Sequence, residues 1–96
     1  PVGMFITMDR RLAEWTFIDL GMFIQSILVG ARGEGLHTCG QVAFTKFHSI
    51  LSKELGFDEN EMLVCGVSMG YEDENAPENK LRVEKLTHDQ FSTFMK

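Results

Sequence analysis

The sequence predicts an α+β fold, a mixed sheet with surrounding helices built about one long central helix. Three observations carry this expectation. Two short, almost wholly apolar runs, Val2 to Met8 and Met62 to Val67, have strand length and β-branched content. Between them, Leu12 to Ala31 has helical length and is apolar on nearly every face. The resulting order, strand–helix–helix–strand–helix, is that of a mixed α/β architecture.

Each element has a local reason. Val2 to Met8 contains no charge, which suits a strand buried on both faces. Asp9 follows as a helix N-cap. The long helix then carries Leu12, Trp15, Phe17, Ile18, Met22, Phe23 and Val29 around its circumference. Covering every face of such a helix takes more protein than 96 residues supply, so it is read as a core helix at a subunit interface. Gly21 leaves room for a second helix to approach. Asp19 and Gln25 interrupt the apolar run; left buried without partners each would cost about 1–3 kcal/mol, so they are expected to cap backbone or pair across an interface.

Gly30, Gly33 and Gly35 close the helix, because glycine relieves the left-handed turn at a helix C-terminus. A phosphate cradle needs the opposite pole, where free N–H groups and the helix dipole attract anions. Leu36 to Val42 reads as a loop with a short extended piece. Ala43 to Leu55 returns to helical spacing, with Phe44, Phe47, Ile50, Leu51 and Leu55 on one face and Gly56 as its stop. Asp58 to Glu61 is an acidic turn. Met62 to Val67, running on to Met69, is the second buried strand, with Cys65 in the core. Glu72 to Lys80 is a polar, solvated loop, Arg82 to Leu86 an extended piece, and Asp89 to Met95 a short terminal helix.

Composition narrows the function. The chain is 44% hydrophobic, enough for a core. Nine Lys and Arg against fourteen Asp and Glu give a formal charge of −5, which argues against nucleic acid as a partner. Asp19, Gln25 and the flanking Arg10, Arg11, Glu14 and Arg32 argue against a membrane span. Two cysteines, six methionines and the lack of a signal-peptide pattern suit a reducing, cytoplasmic setting. The start at Pro1 rather than Met is read as a cut through a longer protein. His37, Cys39, His48, Cys65 and His88 form no complete zinc spacing, so no metal is expected. A His37–Cys39 nucleophile pair is conceivable but lacks an oxyanion hole and a third orienting group. Lys80, Arg82 and Lys85 are the one basic cluster. On residues alone they form a solvated segment or a seat for a phosphate-bearing ligand.

Several pieces then line up in order: Phe17 to Ala31, Gly35 to Gln41, Leu55-Gly56-Phe57, Met62 to Tyr71, Ala76 to Lys80, and Asp89-Gln90-Phe91. This pattern resembles the FMN-dependent nitroreductase family, over what looks like the C-terminal half of its single domain (residues 1–96), with the N-terminal half absent. The resemblance implies an intertwined homodimer with one FMN in each of two interface clefts. It implies NADH or NADPH as electron donor and a nitroaromatic, quinone or similar small-molecule acceptor, served in turn by hydride transfer through flavin N5. The flavin carries the chemistry, so no catalytic side chain is required. It places Gly40, Gln41, Val42 and Ala43 beside the isoalloxazine ring, and Lys80, Arg82 and Lys85 at the phosphate. The family's usual Arg before an x-Pro-Leu is replaced here by Lys85 before Leu86-Thr87-His88, which keeps charge but loses the guanidinium fork. The competing readings are a non-catalytic helical dimerisation or interaction domain, an inactive fragment, and a membrane-associated helical protein.

Overall fold

A computed structural model describes residues 1–95. Both apolar runs form strands, β1 (Val2–Asp9) and β3 (Glu61–Gly70), paired antiparallel from Val2↔Met69 to Asp9↔Glu61. The ladder is irregular between Ile6 and Thr7, where Ile6 faces Cys65 but Thr7 already faces Leu63. The extended piece after the glycines is a third strand, β2 (His37–Gln41), antiparallel on the other side of β3. The strand order is β1-β3-β2, so β3 is the centre. Alternation then decides burial: Leu63, Cys65 and Val67 are buried, with Val67 only 1% exposed, and Met8 and Ala31 join them. The core position expected for Cys65 holds. β1 is not buried on both faces; it is an edge strand, mostly half-buried and exposed at Val2.

The long helix, α1 (Thr16–Gly33), starts later than its apolar pattern suggests. Asp9 is not its N-cap. Its Oδ1 accepts the Arg11 backbone N–H at 2.9 Å, and the Arg11 guanidinium holds both carboxylate oxygens, so Asp9 organises a turn at the end of β1. Further turns, Leu12 N–H to the Asp9 carbonyl and Thr16 N–H to the Ala13 carbonyl, consume residues 10–15 before α1 begins. Its C-terminus follows the glycine argument. Gly35 has φ +76°, Leu36 N–H bonds the Ala31 carbonyl at 2.9 Å and Gly35 N–H bonds that of Arg32 at 3.1 Å, a Schellman closure. Within the chain α1 packs chiefly on β2. Leu20, Ile24, Ile27 and Leu28 are half-covered, whereas Trp15, Ile18, Met22 and Val29, at steps of three, four and seven along another face, are exposed, Trp15 by 74%. Asp19, Gly21 and Gln25 are exposed as well.

The second helical region is two pieces. A 3-10 helix (Val42–Phe47) leads into α2 (His48–Leu55), which ends at Gly56 with φ +70°. The Phe47 backbone leaves helical geometry at φ −107°, ψ 18°, which separates them. After β3 the polar loop ends in one helical turn, α3 (Pro77–Lys80). Arg82 to Leu86 forms no strand, and the terminal helix is the single turn α4 (His88–Phe91) with a Thr87–Gln90 capping box; residues 92–95 are not helical. Leu81, Val83, Leu86, Phe91, Phe94 and Met95 are all exposed.

These exposures add up. The accessible surface is 8022 Å², against about 5,600 Å² for a compact monomer of this mass. The radius of gyration is 16.7 Å, against about 12.5 Å for a compact chain of this length. The fold keeps its apolar helix and tail for something outside the chain. Purified alone, it is expected to associate in analytical ultracentrifugation; a monodisperse 10.9 kDa species would contradict this.

The acidic turn ties β1 to β3. Glu61 accepts the Thr7 hydroxyl and the Asp58 backbone N–H, both at 2.7 Å, and Arg10 reaches the carbonyls of Glu59 and Glu61. The Thr7 hydroxyl, then the Asp58 N–H, lowers the pKa of Glu61. The Asn60 backbone N–H does the same to Asp58, and the Arg11 side chain holds Asp9 down at about 2. Depressed carboxylates stabilise the fold fully above their unfolded values and lose that contribution as pH falls through the folded ones. Denaturation midpoints should therefore drop from pH 4.5 towards about 2, and Glu61→Gln should flatten part of that slope. Parallel slopes for the two proteins would remove Glu61 from the account.

Candidate functional site

β2 brings the start of the sequence-predicted stretch beside the middle of β3. Gly40 faces Val67 and Gln41 faces Gly66, and the chain then turns directly into the 3-10 helix at Val42. Gln41 is fixed by the Ser68 hydroxyl, which donates to its Oε1 at 2.8 Å. Thr45 Oγ1 donates to the Val42 carbonyl at 2.8 Å and closes the first turn. Val42 nevertheless stands 66% exposed, beside the exposed Ala43 and Gly40.

Gly40 is informative because the fold does not demand it. Its φ is not positive. A Cβ there would meet only Cys65 Sγ, at an ordinary 3.9 Å. Glycine inside a strand costs stability and marks a place where something approaches the backbone closely. Gly40, Val42 and Ala43 are thus exposed, with the half-buried Gln41 between them.

The basic residues are arranged differently. Lys80 ends α3, and Arg82 and Lys85 lie on the irregular segment beyond it, all exposed. Arg82 Nη1 donates to the carbonyls of Asn79 and Leu81 at 3.0 and 3.2 Å, so its guanidinium is turned onto its own backbone. Among the described residues no hydrogen bond ties these three to Gly40–Ala43.

An open concavity of about 870 Å³ is lined by Arg32, His37, Cys39, Tyr71, Glu72 and Asn79 among others. None of the seven predicted residues lines it, although Cys39 precedes Gly40 and Asn79 precedes Lys80. His37 Nε2 sits 2.7 Å from Arg32 Nη1 and 3.6 Å from Glu72 Oε2. Arginine only donates, so Nε2 accepts from Arg32, while the Glu72 backbone N–H lies 3.4 Å from Nδ1. His37 is thereby engaged by Arg32, which takes away the free base a His37–Cys39 nucleophile pair would need. Sequence reasoning missed this cluster and missed Ser68. The signal for Ser68 was present: it is the one hydroxyl in an otherwise apolar strand.

Among the described residues, no three or more His, Cys, Asp or Glu side chains gather to hold a metal ion. No helix among them is long and apolar enough to cross a membrane.

The described residues form an antiparallel sheet flanked by a long apolar helix, with exposed Gly40 near the end of β2. The sequence model of the nitroreductase family matches residues 1–71, and the chain belongs to that family. It is 42% identical over 95 residues to a nitrobenzene nitroreductase of Ectopseudomonas oleovorans and 41% identical over 95 residues to a 4-nitrobenzoate reductase of Pseudomonas putida. In both cases 99% of this chain is covered and 42% of the relative. The chain therefore spans about two fifths of the length of these relatives. A solved FMN- and NADPH-dependent nitroreductase, NfnB from Sphigopyxis sp. strain HMH, superposes with a TM-score of 0.91 at 26% identity, over 98% of this chain and 42% of that one. The α+β class expected from the sequence is the fold observed.

Ser68→Ala removes the donor that fixes Gln41. It should lower the urea midpoint by the equivalent of about 1 kcal/mol with an unchanged m-value. An unchanged midpoint would mean that the ladder alone holds Gln41 in place.

Proposed function

We propose that this chain is part of an FMN-dependent oxidoreductase that uses NAD(P)H to reduce nitroaromatics, quinones or similar small acceptors. Family membership and the names of the relatives support the chemistry. The observation that carries it to particular residues is Gly40, an exposed strand glycine with no reason in its own fold, followed by exposed Val42 and Ala43. Such an edge fits a planar ring laid against backbone.

FMN, when bound, would take a hydride from NAD(P)H at N5 and hand electrons to the acceptor in turn. The chain's residues supply setting. The missing Cβ of Gly40 admits close approach, and backbone N–H groups of the Gly40–Ala43 stretch stabilise negative charge as it develops on the ring. Gln41, tied to Ser68, keeps the edge from fraying. Lys80, Arg82 and Lys85 are positioned in sequence to meet the phosphate once a partner orders their segment. Arg82 would exchange its backbone carbonyls for phosphate oxygens and use its planar fork.

The partner follows from the surface. The exposed face of α1 and the apolar tail support a homodimer in which this chain forms the C-terminal portion of one nitroreductase-like domain, the remainder of the polypeptide and the second copy completing the site. The low cysteine count supports a reducing, cytoplasmic setting.

The test is a visible spectrum of the full polypeptide carrying this sequence. An oxidised flavin band that bleaches with NAD(P)H is expected in the wild type. Gly40→Ala should leave the thermal midpoint unchanged or slightly raised and weaken FMN binding by about tenfold or more, the fold having room for the methyl and the ligand not. A colourless wild type, or a Gly40→Ala variant that holds FMN normally, would overturn the assignment.

A further inference from the structure

Gly66 occupies the middle of β3, in register with Phe5 on one side and Gln41 on the other. Its φ is not positive, so backbone conformation does not call for glycine. The reason lies on its face. A Cβ built on Gly66 falls 3.0 Å from Phe44 Cε2, 3.3 Å from Cγ and nearer still to Cδ2. The Phe44 ring therefore rests directly on the central strand. Phe5 meets that ring edge-on, with centroids 5.4 Å apart and planes at 87°.

Phe44 follows Ala43 immediately. The exposed edge is thus clamped at both ends, by Gln41 on Ser68 and by Phe44 on Gly66. A methyl group inserted under the ring has to lift it, and the turn bearing Val42 and Ala43 rises with it. Fixed dipoles act on a developing charge through distance, and displacements of a few tenths of an ångström are felt where water is excluded.

We infer that Gly66 and Phe44 are positioning residues: they set the height of the Gly40–Ala43 backbone, and through it the reduction behaviour of the flavin rather than the strength with which it is held. This rests on the flavin reading above. Affinity has a separate source in the basic residues beyond β3.

The experiment compares the FMN-loaded full polypeptide as wild type, Gly66→Ala, Phe44→Leu and the double variant, by FMN titration, visible spectrum and redox titration. Gly66→Ala should retain FMN within about threefold of wild-type affinity. It should change the ratio of reduced to oxidised flavin at fixed poise about threefold, about 14 mV for a two-electron couple. Leucine in place of Phe44 yields space, so the double variant should recover more than half of that change, a non-additive cycle. If Gly66→Ala does not fold, Phe44→Leu alone must shift the potential, because it withdraws the edge-on contact with Phe5. A loaded Gly66→Ala with wild-type potential and spectrum, additive effects, or loss of flavin from a folded variant each overturn the positioning role while leaving the flavin reading standing. A wild type that binds no FMN overturns both.

Discussion

The central strand is the constraint on which the chain depends. β3 pairs with β1 along one edge and β2 along the other, and neither of those strands touches the other. Much of the packing runs through it: the Glu61 turn at its start, the buried Leu63, Cys65 and Val67 on one face, and the Phe44 ring on Gly66. The charged turn that ties β1 to β3 stands at the start of that strand, at Glu61, whereas Gly40 and Gln41 pair with its middle, at Val67 and Gly66.

What β3 organises is small compared with what the chain leaves uncovered. Five apolar side chains are buried, whereas most of α1 and the whole C-terminal segment are not. The surface beyond that of a compact monomer is on the scale buried in obligate subunit interfaces, about 2,000–5,000 Å². An apolar helix only partly covered by its own sheet is destabilising in an isolated chain and stabilising in an assembly. The heptad-like spacing of Trp15, Ile18, Met22 and Val29 offers a partner a seam of regular geometry.

Strands were legible because burial writes period and composition into them. Val2 to Met8 and Met62 to Met69 differ by only one or two residues from β1 and β3. Helix ends governed by glycine were legible too, at Gly35 and Gly56, because only a left-handed residue closes those turns. The start of α1 was not. Asp9 has the composition of an N-cap, but Arg11 lies two residues on and captures it, a competition between two local hydrogen-bonding patterns that spacing does not rank. The split at Phe47 was hidden because a 3-10 turn keeps the same apolar positions on one side as an α-helix. Gly40 to Ala43 came from family resemblance; the residues alone marked a loop. Phe44 on Gly66 is a contact across more than twenty residues of sequence, and Gly66 inside an apolar run was its only trace.

The uncovered tail bears on the fate of a solitary copy in a cell. Leu81 to Met95 has no strand pairing, one helical turn, and six large apolar side chains in the open. A segment of that kind is what chaperones retain and proteases cut first.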